Sequence, residues 1–193
     1  MCLIKVLIVD DHAIVRMGIR QLLASSIDIE IIAEADNGEK ALLLVKEHQP
    51  DIIVLDMKMP GIDGWEVIRR LKSSSTTCKI IALSAMASDP LPMKVLQLGA
   101  MGYLSKESSL DELTTAIRRI YKGERYLSAD LAQKIAMKSL EPVGNSPFEE
   151  LSEREMQVML MITSGLKVPE IAKRLFLSTK TINCYRYRMF AKL

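Results

Sequence analysis

Three carboxylates, a hydroxyl and an ammonium stand where short apolar runs stop: Asp10 and Asp11 in "VDDH", Asp56 in "VLDMKMPGIDG", Ser84 in "ALSA" and Lys106 in "GYLSK". Brought together, three carboxylates repel one another unless a cation neutralises them. Mg²⁺ suits such a set, because it prefers oxygen ligands and keeps several positions for water or phosphate. A serine hydroxyl and a compact lysine ammonium both suit phosphoryl oxygens. The chemistry on offer is therefore a divalent cation and a phosphoryl group held in one acidic pocket, provided the fold makes all five residues meet.

A parallel sheet would do that. From Ile4 the chain alternates short apolar runs with amphipathic segments: "IKVLIV", "AIVRMGIRQLLAS", "IEIIAEA", "GEKALLLVKEH", "DIIVLD", "GWEVIRRLK", "CKIIALSA", "LPMKVLQLG", "MGYLSK" and "LDELTTAIRRIYK". This is a βα unit repeated five times. Runs apolar on both faces and separated by helices indicate a parallel sheet covered on both sides. "DNG" at 36–38, "PG" at 60–61 and a capping box of Ser109 with Glu112 mark the joins. The expected fold is α/β, a five-stranded doubly wound parallel sheet of flavodoxin-like order 2-1-3-4-5 over residues 1–122. In that order the ligand crevice lies at the carboxyl ends of strands 1 and 3, where Asp10, Asp11 and Asp56 stand.

Residues 123–147 read as a linker: one short amphipathic helix, then "EPVGNSP" with two prolines and a glycine. Over 148–193 the pattern is a smaller, all-α domain. Ser152 and Glu155 form a capping-box pattern for a helix stopping at Gly165, Pro169 suits the first turn of the next, and Ser178 suits the N-cap of a third. Together these form a helix-turn-helix. On the third helix Ile182, Met189 and Leu193 share a packing side, while Lys180, Asn183, Cys184, Tyr187 and Ala191 lie near the other.

Composition excludes several other classes. Apolar residues at 49% and charged residues at 26% describe an ordered globular chain. The apolar runs are strand-length, far short of the roughly 20 residues that cross a bilayer, and the N-terminus lacks a signal-peptide core. A cytoplasmic protein without a membrane partner is expected. Cys2, Cys78 and Cys184 are widely spaced without a C-x-x-C pair, and only His12 and His48 accompany them. These five residues are expected to be packed or exposed, with no disulfide framework and no transition-metal cluster. Charge is uneven: residues 1–122 carry 15 Lys/Arg against 16 Asp/Glu, residues 148–193 carry 8 against 5, and the last sixteen residues hold four basic side chains and no acid. A polyanion is thus a candidate partner for the C-terminus alone.

The ordered set "VDDH", "LDMKMPGIDG", "ALSA" and "GYLSK" resembles the receiver domain of bacterial two-component response regulators, over residues 4 to about 121. The resemblance implies phosphoryl transfer from a sensor kinase's histidine to Asp56, with Asp11 and Asp56 holding Mg²⁺ directly, the Lys58 backbone carbonyl completing the protein ligands and Asp10 acting directly or through water. Lys106 and Ser84 would hold the phosphoryl oxygens, and Tyr103, three residues before the lysine, would be the aromatic switch that answers the Ser84 hydroxyl. Many receivers follow this lysine with a cis proline; here Glu107 follows, for which a cis bond is far costlier.

"LSEREMQVMLMITSGLKVPEIAKRLFLSTKTINCYRYRMFAKL" resembles the LuxR-type helix-turn-helix of the NarL/FixJ family, and "N-x-Y-R-Y-R" with "VLIVDDHAIVRMGIRQLL" resembles its GacA/UvrY/LetA branch. That kinship implies a kinase of BarA/GacS type, homodimerisation on phosphorylation, and promoter binding that drives small regulatory RNAs antagonising a CsrA-type repressor. By motif position Asn183, Cys184 and Tyr187 would meet base edges, and Thr181, Arg186 and Arg188 phosphates, with Lys180 beside them. The family's domain continues into a further helix after "KL", whereas this sequence stops at Leu193, which implies a shortened form with weak or no DNA binding. Two rivals share the pocket: a Mg²⁺-dependent phosphohydrolase, which ordinarily has a general-acid aspartate two residues after the nucleophile where Lys58 stands, and a receiver-type binding module that never needs phosphate.

Overall fold

The computed structural model describes residues 3–74, 76–85, 91–106, 108–140, 148 and 150–193. The chain forms two compact units, Met1–Ile135 and Ala136–Leu193. In the first, β1 (Ile4–Val9), α1 (Ala13–Leu23), β2 (Ile29–Ala35), α2 (Gly38–His48), β3 (Ile52–Asp56), α3 (Gly64–Ser73), β4 (Lys79–Ser84), α4 (Leu91–Leu98), β5 (Gly102–Ser105), α5 (Leu110–Tyr121) and β6 (Tyr126–Leu127) follow one another. α6 (Ala129–Leu140) comes next. All strand pairs are parallel, in the order β2-β1-β3-β4-β5-β6.

The sheet therefore has six strands, one more than the sequence pattern predicts. β6 is only Tyr126 and Leu127, paired with Gly102 and Tyr103. Two half-buried residues carry no readable period-2 alternation. A side chain at Gly102 would meet Ile120 Cδ1 at 2.5 Å, so the bare backbone there lets α5 lie against the strand.

Alternation sorts the sheet into two faces. Val6, Ile8, Ile52, Val54, Ile81, Leu83 and Leu104 form one cluster with Ile19 and Leu23 of α1 and Ala116, Ile117 and Ile120 of α5. Leu7, Val9, Ile53 and Leu55, fully buried, occupy the alternate positions, and α2 packs on β1 and β2. Each such side chain contributes about 1.5–3 kcal/mol by leaving water. The paired register brings Asp56 opposite Leu83 and Ser84 opposite Ser105, so the strands' carboxyl ends share one rim.

Local chemistry starts the helices. Asn37 caps α2 by accepting from the Lys40 N–H at 2.8 Å, and Asp63 caps α3 by accepting from the Glu66 N–H at 3.0 Å. Ser109 does occupy the N-cap of α5, but its side chain makes no capping bond; the Glu112 N–H bonds the Ser109 backbone carbonyl instead, at 3.1 Å. The capping box expected there is absent because the turn closes main chain to main chain.

In the second unit, α7 (Glu153–Thr163), α8 (Val168–Leu175) and α9 (Thr179–Lys192) enclose Val158, Met161, Ile171, Ala172, Leu175 and Ile182. Ser152 and Glu155 form a reciprocal capping box, Gly165 turns the chain at φ 85°, and Pro169 lies in the first turn of α8. Lys192 Nζ donates to Glu155 Oε2 at 2.6 Å and to the Glu150 carbonyl at 3.0 Å, tying the end of α9 to the start of α7. Burial pushes the Glu155 carboxyl up, but its hydrogen bonds from Lys192 and Ser152 outweigh that and hold it below its ordinary value. Leu193 departs from the expected packing side: Ile182 and Met189 are buried, whereas Leu193 is 48% exposed. It follows the last helical residue, so the helical period no longer directs it inward.

Candidate functional site

Asp10, Asp56 and Lys106 meet at the rim. Asp10 directly follows β1, Asp56 ends β3 and both are buried; Lys106, one residue past β5, sends its ammonium between them. Nζ lies 2.6 Å from Asp10 Oδ2 and 2.8 Å from Asp56 Oδ2. The strand ends hold this arrangement in place: the Lys106 N–H bonds the Ser84 carbonyl at 2.8 Å, and the Asp10 N–H bonds the Ala35 carbonyl at 3.2 Å. Asp56 Oδ1 accepts from the Lys58 N–H at 3.1 Å, while the Lys58 side chain is exposed.

Burial raises the Asp56 carboxyl above its ordinary pKa, and it does so despite hydrogen bonds from Lys106 and the Lys58 N–H that pull the other way. For Lys106, burial acts to lower the pKa, but its bonds to Asp10 and Asp56 prevail and raise it. The lysine is thus a firmly held cation, and Asp56 is a carboxylate short of compensation.

Asp11 and His12 complete the group. One ligand atom from each of Asp10, Asp11, His12 and Asp56 lies within 4.8 Å of the others. The His12 N–H donates to Asp10 Oδ1 at 2.8 Å, and its ring Nδ1 is 3.2 Å from that oxygen and 2.8 Å from Asp11 Oδ1. Despite that short approach, Asp11 Oδ1 is buried without a hydrogen-bond partner, because the contact does not have hydrogen-bond geometry. Three carboxylates against one ammonium leave two negative charges, which matches a divalent cation.

Ser84 is buried at the end of β4, and Tyr103 is fully buried on β5. Burial raises the Tyr103 phenol, opposed by a hydrogen bond with the Ser84 side chain. The ring therefore points inward, toward the Ser84 side chain.

Two residues near the pocket escaped the sequence reading. His12 is exposed, as the sequence leads one to expect, but its ring also stands against Asp10 and Asp11; the signal for that is adjacency, since it follows the two aspartates directly. Arg16 donates through Nη1 to the Asp10 carbonyl at 2.7 Å and through Nε to Glu34 at 3.3 Å, and Arg20 also bonds Glu34. No pattern in the sequence announces that anchor. The Lys106–Glu107 peptide geometry lies outside the described residues, as do Cys2 and residues 141–147. Cys78 is half-buried, its thiol pushed up to about 12 by burial, and Cys184 is exposed.

Gly64 underlies the Asp56 turn. A Cβ there would stand 2.7 Å from both the Asp56 carbonyl oxygen and Met57 Cα, backbone atoms that cannot step aside cheaply. Gly64→Ala is expected to cost roughly 2 kcal/mol. In urea melts the midpoint should fall for Gly64→Ala and rise modestly for Gly18→Ala, an exposed position inside α1 where an added Cβ meets nothing within 4 Å and Ala is the better helix former by about 0.5–1 kcal/mol.

On α9, Lys180, Asn183, Cys184, Arg186, Tyr187 and Arg188 are exposed and Thr181 is half-buried, its N–H donating to the Ser178 cap at 3.0 Å. Tyr187 at 78% and Phe190 at 63% exposure put aromatic rings among three basic side chains. Such a face suits a groove lined by phosphates. Among the described residues no helix is long and apolar enough to cross a membrane.

The chain matches two family models: the response regulator receiver domain over residues 6–118, and the luxR family of bacterial regulatory proteins over residues 149–193. It is 49% identical to the response regulator UvrY of Escherichia coli over 192 residues, 99% of this chain and 88% of that protein. With the response regulator GacA of Pseudomonas syringae it shares 46% over 99% of this chain and 90% of that protein. Among solved structures, RcsB of Salmonella typhimurium, described for its conformational dynamism in DNA interaction, aligns with a TM-score of 0.84 at 25% identity, covering 100% of this chain and 91% of that one. RcsB bound to promoter rprA in the presence of phosphomimetic BeF3⁻ aligns with a TM-score of 0.81 at 27% identity, covering 98% and 92%. A receiver sheet with an acidic rim, followed by a luxR-type helical unit, on one chain that matches these regulators over nearly all of its own length, places the protein among the two-component response regulators with a LuxR-type DNA-binding domain, which are transcription factors and not enzymes.

Proposed function

We propose that Asp56 is the phosphoryl acceptor through which a sensor kinase controls promoter binding by this chain. One observation carries the reading: a buried carboxylate at the end of β3, 2.8 Å from a lysine ammonium shared with Asp10. An Asp56 oxygen attacks the phosphorus of the kinase's phosphohistidine; the P–N bond breaks, the O–P bond forms, and the histidine leaves. Little covalent chemistry falls to the protein, so positioning and charge stabilisation dominate. Lys106 and Ser84 hold the phosphoryl oxygens. Asp10, Asp11, Asp56 and the Lys58 carbonyl would hold Mg²⁺, which would neutralise developing charge. The residues fit that ion: their donors are hard oxygens, three carboxylates face one ammonium, and Asp11 Oδ1 is buried without a hydrogen bond.

Tyr103, with its ring inward on Ser84, is proposed as the readout, a two-state element that phosphorylation biases. Lys180, Thr181, Asn183, Cys184, Arg186, Tyr187 and Arg188 are the proposed DNA face, and a homodimer formed on phosphorylation would address two half-sites. Similarity to UvrY and GacA supports a kinase of BarA/GacS type, control of small regulatory RNAs that antagonise a CsrA-type repressor, and a cytoplasmic location. The domain limits proposed are 1–122, 123–147 and 148–193.

Incubation with acetyl phosphate and Mg²⁺ should add one phosphoryl group, mapped by peptide mass spectrometry to Asp56. Lys106→Met should slow this by about 10²–10³, the usual loss when one preorganised charge-stabilising donor is removed. A phosphoryl group on another residue, or equal rates in wild type and Lys106→Met, would overturn the assignment.

A further inference from the structure

Resting on the divalent-cation pocket read above, we propose that Arg16 is a positioning residue for it: the guanidinium fixes the peptide joining Asp10 to Asp11, and so sets the Asp11 carboxylate for Mg²⁺. The last paired residue of β1 is Val9, partnered by Ala35 on one side and Leu55 on the other. The Asp10 carbonyl lies past that ladder, and Arg16 Nη1 donates to it at 2.7 Å. This carbonyl belongs to the Asp10–Asp11 peptide, whose atoms share one plane, so holding the oxygen also holds the nitrogen of Asp11. The following peptide is held as well, because the His12 N–H donates to Asp10 Oδ1 at 2.8 Å. Asp11 thus stands between two fixed peptides. Its Oδ1 is buried without a hydrogen bond, although the exposed His12 ring lies 2.8 Å away. The aim of this carboxylate therefore comes from the backbone, and Arg16 is the part of that frame supplied by α1.

Arg16 is itself held. Its side chain is 19% exposed, and the guanidinium splits between two partners, with Nε donating to Glu34 Oε2 at 3.3 Å. Glu34, on β2, also accepts from Arg20, which is 64% exposed and does not reach Asp10 in any described hydrogen bond. Arg16 alone of the two bridges the edge strand and the rim, a task suited to a planar fork of fixed donors. Charge and positioning predict opposite results. A cation beside the pocket repels Mg²⁺, so by Coulomb's law its removal would tighten metal binding. If the guanidinium orients Asp11, its removal loosens binding. Groups that orient metal ligands are worth roughly 10–100-fold in affinity, so a net loss of about tenfold is expected once the relieved repulsion is allowed for.

The test is calorimetric titration of the full chain with magnesium chloride, with no phosphoryl donor present. Wild type should bind at one site, Arg16→Met about tenfold more weakly, and Arg20→Met within about twofold of wild type. Arg16→Lys keeps the charge and a donor but cannot address both partners, and should lose about threefold. With acetyl phosphate, the Mg²⁺ concentration for half-maximal labelling of Asp56 should rise in Arg16→Met by the same factor as the affinity falls, while the rate at saturating Mg²⁺ drops by less than about twofold. An Arg16 that only ties α1 to the sheet would lower the melting temperature and leave that concentration unmoved. Unchanged or tighter Mg²⁺ binding by Arg16→Met overturns the proposal. So does an equal loss in Arg20→Met, which would trace the effect to Glu34 and not to the Asp10 carbonyl. Should Arg16→Met fail to fold, Arg16→Lys decides, and wild-type Mg²⁺ affinity there overturns the proposal. If wild type itself binds no Mg²⁺, the reading of the pocket fails; Mg²⁺ binding indifferent to Arg16 defeats this inference alone.

Discussion

Asp56→Asn is expected to abolish phosphoryl incorporation from acetyl phosphate and, without added metal, to raise the stability of the receiver unit by about 1 kcal/mol. The two effects share one cause. A nucleophilic carboxylate must be ionised and reachable, yet Asp56 is 2% exposed and stands beside Asp10, so burial and a like charge both disfavour its ionised form. Its folded-state pKa is raised, which means the native state holds this proton more tightly than the unfolded chain does. Stability from this group is therefore greatest below the unfolded carboxylate pKa and is lost as pH rises toward and through the raised folded value. Asparagine removes that loss. It keeps the shape and an acceptor for the Lys58 N–H, while Lys106 retains Asp10 at 2.6 Å.

In thermal melts the receiver transition of Asp56→Asn should lie roughly 4 °C above wild type at neutral pH. The gap should close toward pH 3, where both proteins are neutral at this position. Saturating Mg²⁺ should narrow it as well, since the ion stabilises the form that binds it more tightly. A variant less stable than wild type at neutral pH would mean that the Lys106 contact outweighs burial, contrary to the direction inferred for Asp56.

The pocket was legible from sequence because its residues obey a geometric rule. Each sits at the carboxyl end of a run whose apolar period marks a strand, and parallel strands in one sheet must present those ends on one rim. That logic reaches Asp10, Asp56, Ser84 and Lys106 without coordinates. It does not reach Arg16, whose bond to the Asp10 carbonyl depends on where α1 sets down against β1 and β2. Nor does it reach β6, because Tyr126 and Leu127 are too few to establish a period. The inward Tyr103 ring is a rotamer choice, and strand alternation fixes the face of a side chain but not its torsion. On α9 the helical period placed Ile182 and Met189 correctly, then failed at Leu193, past the helical end.

Ile182→Ala is expected to unfold the helical unit while leaving phosphoryl incorporation at Asp56 near wild type. Ile182 is fully buried among Val158, Met161, Ile171, Ala172 and Leu175, the side chains through which α7, α8 and α9 hold together. Removing three carbons there costs about 2–5 kcal/mol, from lost transfer energy and the cavity left behind. A unit of this size, Ala136–Leu193, draws only about 3–5 kcal/mol from its core. The substitution thus removes most of its stability, and no disulfide is expected to supplement it. Tyr187→Ala, at a side chain 78% exposed, should change stability by less than about 0.5 kcal/mol. Amide spectra decide the matter: Ile182→Ala should collapse the dispersion of residues 150–193 and preserve that of the sheet, while Tyr187→Ala should preserve both. A well-dispersed Ile182→Ala spectrum would show that contacts outside this cluster, such as the Lys192 tie to Glu155 and Glu150, carry more of the unit's stability than its apolar core.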